Sequence, residues 1–326
     1  MNLVTGASGF IGGRIVHALA ERGERIRILI RPGANLTGLA GTDYQIAVGD
    51  VLDKESIRAA VRGCRRIYHA AAVYTLWSRT PGHIYQVNVE GTRNMLRAAM
   101  AAKVERVVYT SSVATIGLPG DGLGSEATPV SLQDMAGDYK RSKFLAESVA
   151  FDFIRRGAPV VIVNPTFPVG CGDLKPTPTG EVIVRFLRRG MPAYLDTGLN
   201  VVDADDVARG HLLAAERGRI GQRYILGNRN MTLKEIFQVL ATITGLPEPR
   251  IRLPFYPVLF FAGLDAALAK LMPRRTPVAA PEGVRMARKK MFVDPTKAVK
   301  ELGLPQSPAD KALEKSVNWF RSHGYG

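Results

Sequence analysis

Cysteine is nearly missing from this 326-residue sequence, with Cys64 and Cys171 alone, which excludes a disulfide framework and a thiolate metal site. The five histidines, His17, His69, His83, His211 and His323, show no ligand spacing, so no metal is predicted. Acidic residues are scarce beside basic ones, 29 against 44, and the formal charge is +15. The surplus is scattered along helical stretches without an aromatic-interleaved basic stripe. It argues for solubility or an anionic small ligand, and against nucleic acid.

Long apolar runs are also missing. The best candidate, Leu253–Met272, is interrupted by Pro254 and Pro257 and carries Asp265 and Lys270, which are costly near a bilayer centre. It reads as a helix covering the substrate pocket. The sharper alternative is peripheral attachment at the inner membrane face, with Arg274, Arg275, Arg288, Lys289 and Lys290 meeting anionic headgroups. No basic and apolar leader precedes the first glycine turn at Gly6, so a cytoplasmic location is expected.

What is present is a regular alternation. Asn2–Thr5, Arg25–Ile30, Tyr44–Val48, Arg66–Ala70, Arg106–Thr110 and Val160–Asn164 read as strands, with amphipathic helices near Phe10–Arg22, Lys54–Arg62, Tyr85–Ala102 and Tyr139–Arg156. This predicts an α/β fold: a Rossmann doubly wound parallel sheet with helices on both faces and right-handed crossovers. After Pro165, prolines punctuate shorter elements, and helices are expected near Glu181–Arg189, Asp203–Arg217, Thr232–Thr244 and Ala309–His323. The expected division is a dinucleotide-binding domain over 1–165 and a smaller C-terminal substrate lobe over 166–326, some of whose segments return to the Rossmann body.

Immediately after the first strand, glycines recur three apart at Gly6, Gly9 and Gly12, interleaved with Ser8, Phe10 and Ile11, and a helix opens there. In that context glycines let backbone approach a pyrophosphate, whose charge meets N–H groups and the helix N-terminal dipole. The second strand ends at Arg31, where an acidic residue would bind ribose hydroxyls; a guanidinium suits a 2′-phosphate instead. NADP(H) is therefore preferred over NAD(H). Asp50, beside Val51, is a candidate for the adenine amino group or, alternatively, a helix cap.

Tyr139 and Lys143 stand four apart, on one face of a helix. A free phenol titrates near 10, too high for an efficient base, and a nearby ammonium favours the phenolate. The pair therefore predicts a phenol whose pKa is lowered by Lys143 and a positive nicotinamide ring, exchanging a proton with a substrate oxygen.

The GASGFIG turn, Gly49-Asp50-Val51, His69-Ala70-Ala71-Ala72 and Tyr139-Lys140-Arg141-Ser142-Lys143 occur in the order and spacing of one family. The chain resembles the extended short-chain dehydrogenases/reductases over nearly its whole length. Within them it is most similar to the hopanoid-associated sugar epimerase group and, more distantly, to dihydroflavonol 4-reductases, through Val87–Thr92, Asn164–Gly170 and Val202–His211. The resemblance implies that Ser112, five residues before Gly117, orients the substrate oxygen, and that Asn88 supports the active-site helix or a relay water. It also implies that Lys143 holds ribose, that Ala70, Ala71 and Ala72 join the dinucleotide site, and that Pro165, Thr166, Phe167 and Val169 pack on nicotinamide. Tyr74, Leu76 and Trp77 are candidates for the substrate pocket or for ordinary packing.

Three reactions of such proteins compete. Dehydration needs a carboxylate beside the active hydroxyl, but Val113, Ala114 and Thr115 follow Ser112. Nucleotide-sugar epimerisation uses an arginine where this chain has Leu199, with Arg185, Arg188, Arg189 or Arg288 as substitutes. The preferred expectation is thus an NADP(H)-dependent oxidoreductase acting at a carbonyl or carbinol carbon. Its small-molecule substrate is expected to be polyhydroxylated or lipid-linked, as in hopanoid side-chain metabolism. A sugar epimerase and a non-catalytic NADP(H) sensor are the alternatives. The resemblance further implies a homodimer packed through Tyr85–Ala102 and Tyr139–Arg156, with a monomer as its alternative.

Overall fold

The apolar runs of the first half pair side by side in the computed structural model, which describes residues 1–272 and 275–326. The strands are β1 (Asn2–Thr5), β2 (Ile26–Ile30), β3 (Gln45–Val48), β4 (Arg66–His69), β5 (Arg106–Thr110), β6 (Val160–Pro165), β7 (Phe167–Val169), β8 (Ala193–Leu195), β9 (Gly198–Asp203), β10 (Arg223–Leu226), β11 (Arg229–Thr232) and β12 (Ile251–Leu253). Seven of them form one parallel sheet in the order β3-β2-β1-β4-β5-β6-β10. The order reverses between β1 and β4, which opens a crevice at the carboxyl ends of those strands, the usual ligand position in such sheets.

The helices are α1 (Phe10–Ala20), α2 (Lys54–Val61), α3 (Pro81–Tyr85), α4 (Gly91–Ala101), α5 (Gly137–Arg155), α6 (Pro178–Leu187), α7 (Ala204–Arg217), α8 (Leu233–Thr244), α9 (Phe255–Leu271), α10 (Pro281–Met286), α11 (Thr296–Leu302) and α12 (Ala309–Ser322). Because strand side chains alternate, neighbours such as Leu3 and Val4, Ile67 and Tyr68, or Val107 and Val108 point to opposite faces. Val4, Tyr68 and Val108 meet Ile15 and Val16 of α1 and Val207 and Leu212 of α7. Leu3, Ile67 and Val107 meet Ile57 of α2, Met95 and Leu96 of α4, and Ala146 and Val149 of α5.

Within the main sheet and the helices that cover it, two features depart from the sequence expectation. The helix expected over Tyr85–Ala102 is present but begins about one turn earlier, as α3, and passes through a π-helical turn at Gln86–Glu90 before continuing as α4. The seventh strand, β10, was not expected; its four residues, RYIL, are too few to display a period.

The smaller lobe is built on a three-stranded sheet, β11-β9-β7, and a β12-β8 pair. Its core gathers Phe167, Ile183, Phe186, Phe237, Leu240, Leu313 and Phe320. Between β9 and β11 the chain returns to the Rossmann body as α7 and β10, and α11 returns again. Residue 165 therefore divides the sequence more cleanly than it divides the packing.

Candidate active site

Backbone geometry explains the first glycines. Gly6 has φ +72°, and a Cβ there would lie 2.7 Å from the Ala71 nitrogen; one on Gly12 would lie 2.1 Å from the Gly6 carbonyl. The glycine turn thus lies directly against the end of β4. No side chain caps α1, whose N-cap is Gly9, so the N–H groups of Phe10, Ile11 and Gly12 are left for an anion, beside the exposed Ser8. These features fit a dinucleotide pyrophosphate.

Under the turn, Thr5 Oγ1 accepts from the Ala71 N–H at 3.2 Å and meets His69 Nδ1 at 2.8 Å, while His69 Nε2 meets Thr92 Oγ1 at 3.2 Å. Burial, then the nearby Lys143 ammonium, pushes His69 down to about 3, so it is a neutral strut. Ala70 and Ala71 are partly covered and Ala72 is exposed. Arg31 is exposed just past β2. Asp50 accepts from the Leu52 N–H at 2.8 Å, whereas Asp53 caps α2 by accepting from Glu55 N–H; the capping role weighed for Asp50 belongs to Asp53. Val51 is buried against Gly91.

Tyr139 and Lys143 both lie on the buried face of α5. Lys143 Nζ donates to the Thr110 carbonyl at 2.8 Å and to Tyr109 Oη at 3.3 Å. Burial lowers it to about 8, opposed by the Glu147 carboxylate one turn later. The expected depression of Tyr139 is not supplied by the protein's own groups: burial raises its phenol to about 12, with hydrogen bonding from Ser112 pulling the other way. Low polarity around a phenol disfavours its charged form, and the Glu282 carboxylate adds to the rise. Ser112 itself caps a short 3-10 turn, accepting from Ala114 N–H at 3.1 Å.

Supporting residues hold these groups. Asn88 sits in the π-turn, accepts from Val73 N–H at 2.7 Å, and donates to the Val73 carbonyl at 3.1 Å and Ser142 Oγ at 2.9 Å. Ser142 then donates to the Tyr139 carbonyl at 2.8 Å, which links the loop after β4 to α5. Asn164 Nδ2 donates at 3.0 Å to the Ser112 carbonyl and to Glu147 Oε2, and Glu147 pairs with Arg223 at 3.0 Å. Buried Glu282 of α10 accepts from the N–H groups of Tyr139 at 3.0 Å and Asp138 at 3.2 Å. Neither Glu147 nor Glu282 was singled out from sequence. A glutamate four beyond Lys143 on the buried face was a legible signal for the first; nothing local marks the second.

Of the segment expected on nicotinamide, Pro165 ends β6 and Thr166 N–H donates to the Leu226 carbonyl at 3.2 Å. Phe167 and Val169 point into the small-lobe core, so their side chains are already covered by protein. The Tyr74 ring lies 4.5 Å from that of Tyr139, centre to centre, and Leu76 neighbours Gly283. Trp77 lies beneath the Arg79 guanidinium at 5.5 Å. Among the described residues no cluster of His, Cys, Asp or Glu is arranged to hold a metal ion.

A glycine turn at the switch point of a parallel sheet, beside a tyrosine and lysine on one helix face, defines a dinucleotide-dependent enzyme of the doubly wound α/β class. The NAD dependent epimerase/dehydratase family model matches residues 2–227. The chain belongs to that family, and is an oxidoreductase of the extended short-chain dehydrogenase/reductase type. It is 45% identical over 99% of its length to a putative dihydroflavonol 4-reductase of Synechocystis, covering 95% of that protein. It is 35% identical over 99% of its length to sterol demethylase protein B of Methylococcus capsulatus, covering 98% of that protein. The crystal structure of gox2253 superposes with a TM-score of 0.89 at 42% identity, over 100% of this chain and 99% of that one.

Proposed function

We propose that the protein is an NADP(H)-dependent reductase or dehydrogenase acting at a carbonyl or carbinol carbon of a small, largely apolar substrate. The observation that carries this reading is the pairing of Ser112, just past β5, with the Tyr139 phenol at the start of α5, one turn from Lys143 anchored on the Thr110 carbonyl. The dinucleotide supplies the hydride-transferring group when bound. Tyr139 exchanges a proton with the substrate oxygen, and the Ser112 hydroxyl holds that oxygen. Lys143, anchored on Thr110, positions the ribose and adds positive charge near the phenol.

Reduction is favoured over nucleotide-sugar epimerisation by the fate of the arginines. Leu199, where epimerases use arginine, packs with Val113, Ile116 and Met291. Arg185 is engaged by Glu181 and the Val278 carbonyl, and Arg188 by the Tyr325 carbonyl. Neither of these two stands ready for a diphosphate, while Arg189 and Arg288 are exposed and leave the epimerase alternative to be decided by assay. The names of the relatives, one a reductase and one a sterol demethylase protein, agree with a polycyclic or lipid-like substrate. Exposed Arg31 favours the 2′-phosphate of NADP(H).

The test pairs NADPH and NADH with a panel of ketones and aldehydes, sterol ketones among them. Stoichiometric NADPH oxidation is expected, and Tyr139→Phe should lose about 10²–10⁴-fold in kcat. Arg31→Glu should shift the preference toward NADH. Epimer interconversion without net oxidation would replace this reading.

A further inference from the structure

The large exposed apolar side chains are concentrated on one helix. Tyr256, Phe260, Phe261 and Leu271 of α9 are 71%, 65%, 67% and 80% exposed, and Leu264, Leu268 and the adjoining Met272 are about half exposed. At 3.6 residues per turn, all seven fall within one half of the helix, while the buried Ala262 and Ala269 lie on the opposite side. No charged residue stands in that outward half. Asp265, at one edge, pairs with Arg275 at 2.5 Å and accepts from Val278 N–H at 2.6 Å; exposed Lys270 lies at the other edge. A helix on a water-facing surface normally shows the reverse pattern, polar outward and apolar inward.

Cations bracket the apolar half. Exposed Arg250 and Arg252 precede α9, Lys270 and Arg275 stand at its carboxyl end, and exposed Arg285, Arg288, Lys289 and Lys290 lie on or just after α10, which packs along α9; Arg252 and Lys290 share Asp196, which leaves a net surplus of positive charge. Arg274, expected in the same group, lies outside the described residues. The helix is firmly attached to the body: the Arg79 guanidinium donates to the carbonyls of Ala269 at 2.7 Å and Arg275 at 3.0 Å, and to that of Met272. Arg79 belongs to the loop that carries Tyr74 and Leu76, and α10 carries Glu282 to Tyr139.

We propose that α9 docks the protein on an anionic lipid bilayer, lying in the plane of the interface with its uncharged half among the acyl chains and the flanking lysines and arginines against headgroups. Seventeen residues of helix span roughly 25 Å, and among the described residues no helix is long and apolar enough to cross a membrane. A second copy of the chain seated on the same face would bring two sets of these cations together, which opposes pairing; an anionic surface reverses that sign. Through Arg79 and α10, docking by α9 couples the bilayer to the loop of Tyr74 and to Tyr139, which on the function proposed above would bring the catalytic tyrosine near lipid-dissolved substrate.

The experiment is co-sedimentation of the purified full chain with vesicles of phosphatidylcholine alone or mixed equally with phosphatidylglycerol, alongside sedimentation velocity without lipid. Binding to the mixed vesicles is expected, weaker on the neutral ones and reduced by salt. The triple substitution Phe260→Ser, Phe261→Ser and Leu271→Ser should weaken binding at least about tenfold while leaving the far-ultraviolet circular dichroism and Tm unchanged. Reversing Lys270, Arg288, Lys289 and Lys290 to glutamate should abolish the preference for phosphatidylglycerol. Failure of the unmodified chain to bind the mixed vesicles, or binding that ignores the triple substitution, overturns the proposal. So does a lipid-free dimer that the same substitution dissociates, since the face would then belong to a second copy.

Discussion

Glu282 holds the first turn of the helix that carries Tyr139: its Oε1 accepts from the Tyr139 N–H at 3.0 Å across 143 positions of sequence. Helix amides left without partners need an acceptor, and Ala136, the local N-cap, offers no side chain for the purpose. A carboxylate is well matched to a helix N-terminus, yet burial dominates and raises Glu282 to about 7 from 4.5. A pKa higher in the folded state means that the native form binds the extra proton between those values. Its stabilising contribution is therefore complete below pH 4.5 and lost as pH climbs through 7. In urea titrations across that window, the stability of the unmodified protein relative to Glu282→Gln should fall by roughly 2–3 kcal/mol. A difference that stays flat, or grows with pH, contradicts the assignment.

Gly137 gives a steric test of the same contact. Its φ is +85°, and a Cβ there would sit 2.0 Å from Glu282 Cδ. Gly137→Ala should lower stability by about 2 kcal/mol or more and reduce turnover with it, because the strained backbone and the displaced carboxylate both disturb the start of α5. Gly82, where an added Cβ meets nothing within 4 Å, is the control. Calorimetry on Gly137→Ala and Gly82→Ala should separate the two, with the second near the unmodified Tm.

The ammonium of Lys143 sets a pH limit. With burial lowering it to about 8, kcat/KM should fall as pH rises past that value and the charge is lost. Glu147 opposes the shift, so Glu147→Gln should move the falling limb to lower pH. An unmoved limb would show that another group governs it.

Asn88 bridges Val73 and Ser142 from within the π-turn, fully buried. Asn88→Ala leaves the Val73 amide and carbonyl without partners and should cost about 2 kcal/mol or more. It should also lower kcat more than it raises KM, since it acts through the placement of α5. Denaturation and steady-state kinetics on one preparation would check both.

The Rossmann half was readable because its strands are apolar runs between amphipathic helices, and because the Gly6–Gly12 turn and the Tyr139–Lys143 spacing are local patterns. The first six strands of the main sheet match their expected places to within a residue or so at each end. What local pattern does not carry was harder to read. β10 is too short to show alternation, and the π-turn that holds Asn88 has no local period to mark it. Glu282 lies in a half punctuated by prolines, and its partner is distant in sequence. The Tyr139 phenol was expected low because an ammonium stands one turn away, but the weight of burial is set by neighbours such as Tyr74, which only the folded chain reveals.

The return of the chain to the main sheet after building half of the small lobe has a consequence for engineering. β10 is hydrogen-bonded to β6, and Val207, Leu212, Ala298 and Leu302 fill the same apolar layer as Val4 and Ile15. Cutting the gene after the sixth strand would strip one face of the cover given by α7 and α11 and turn buried β6 into an exposed edge, so the amino-terminal half is not a transplantable module. Shared packing of this kind predicts a single melting transition for the two lobes, and a swap of substrate specificity between homologues has to be made loop by loop.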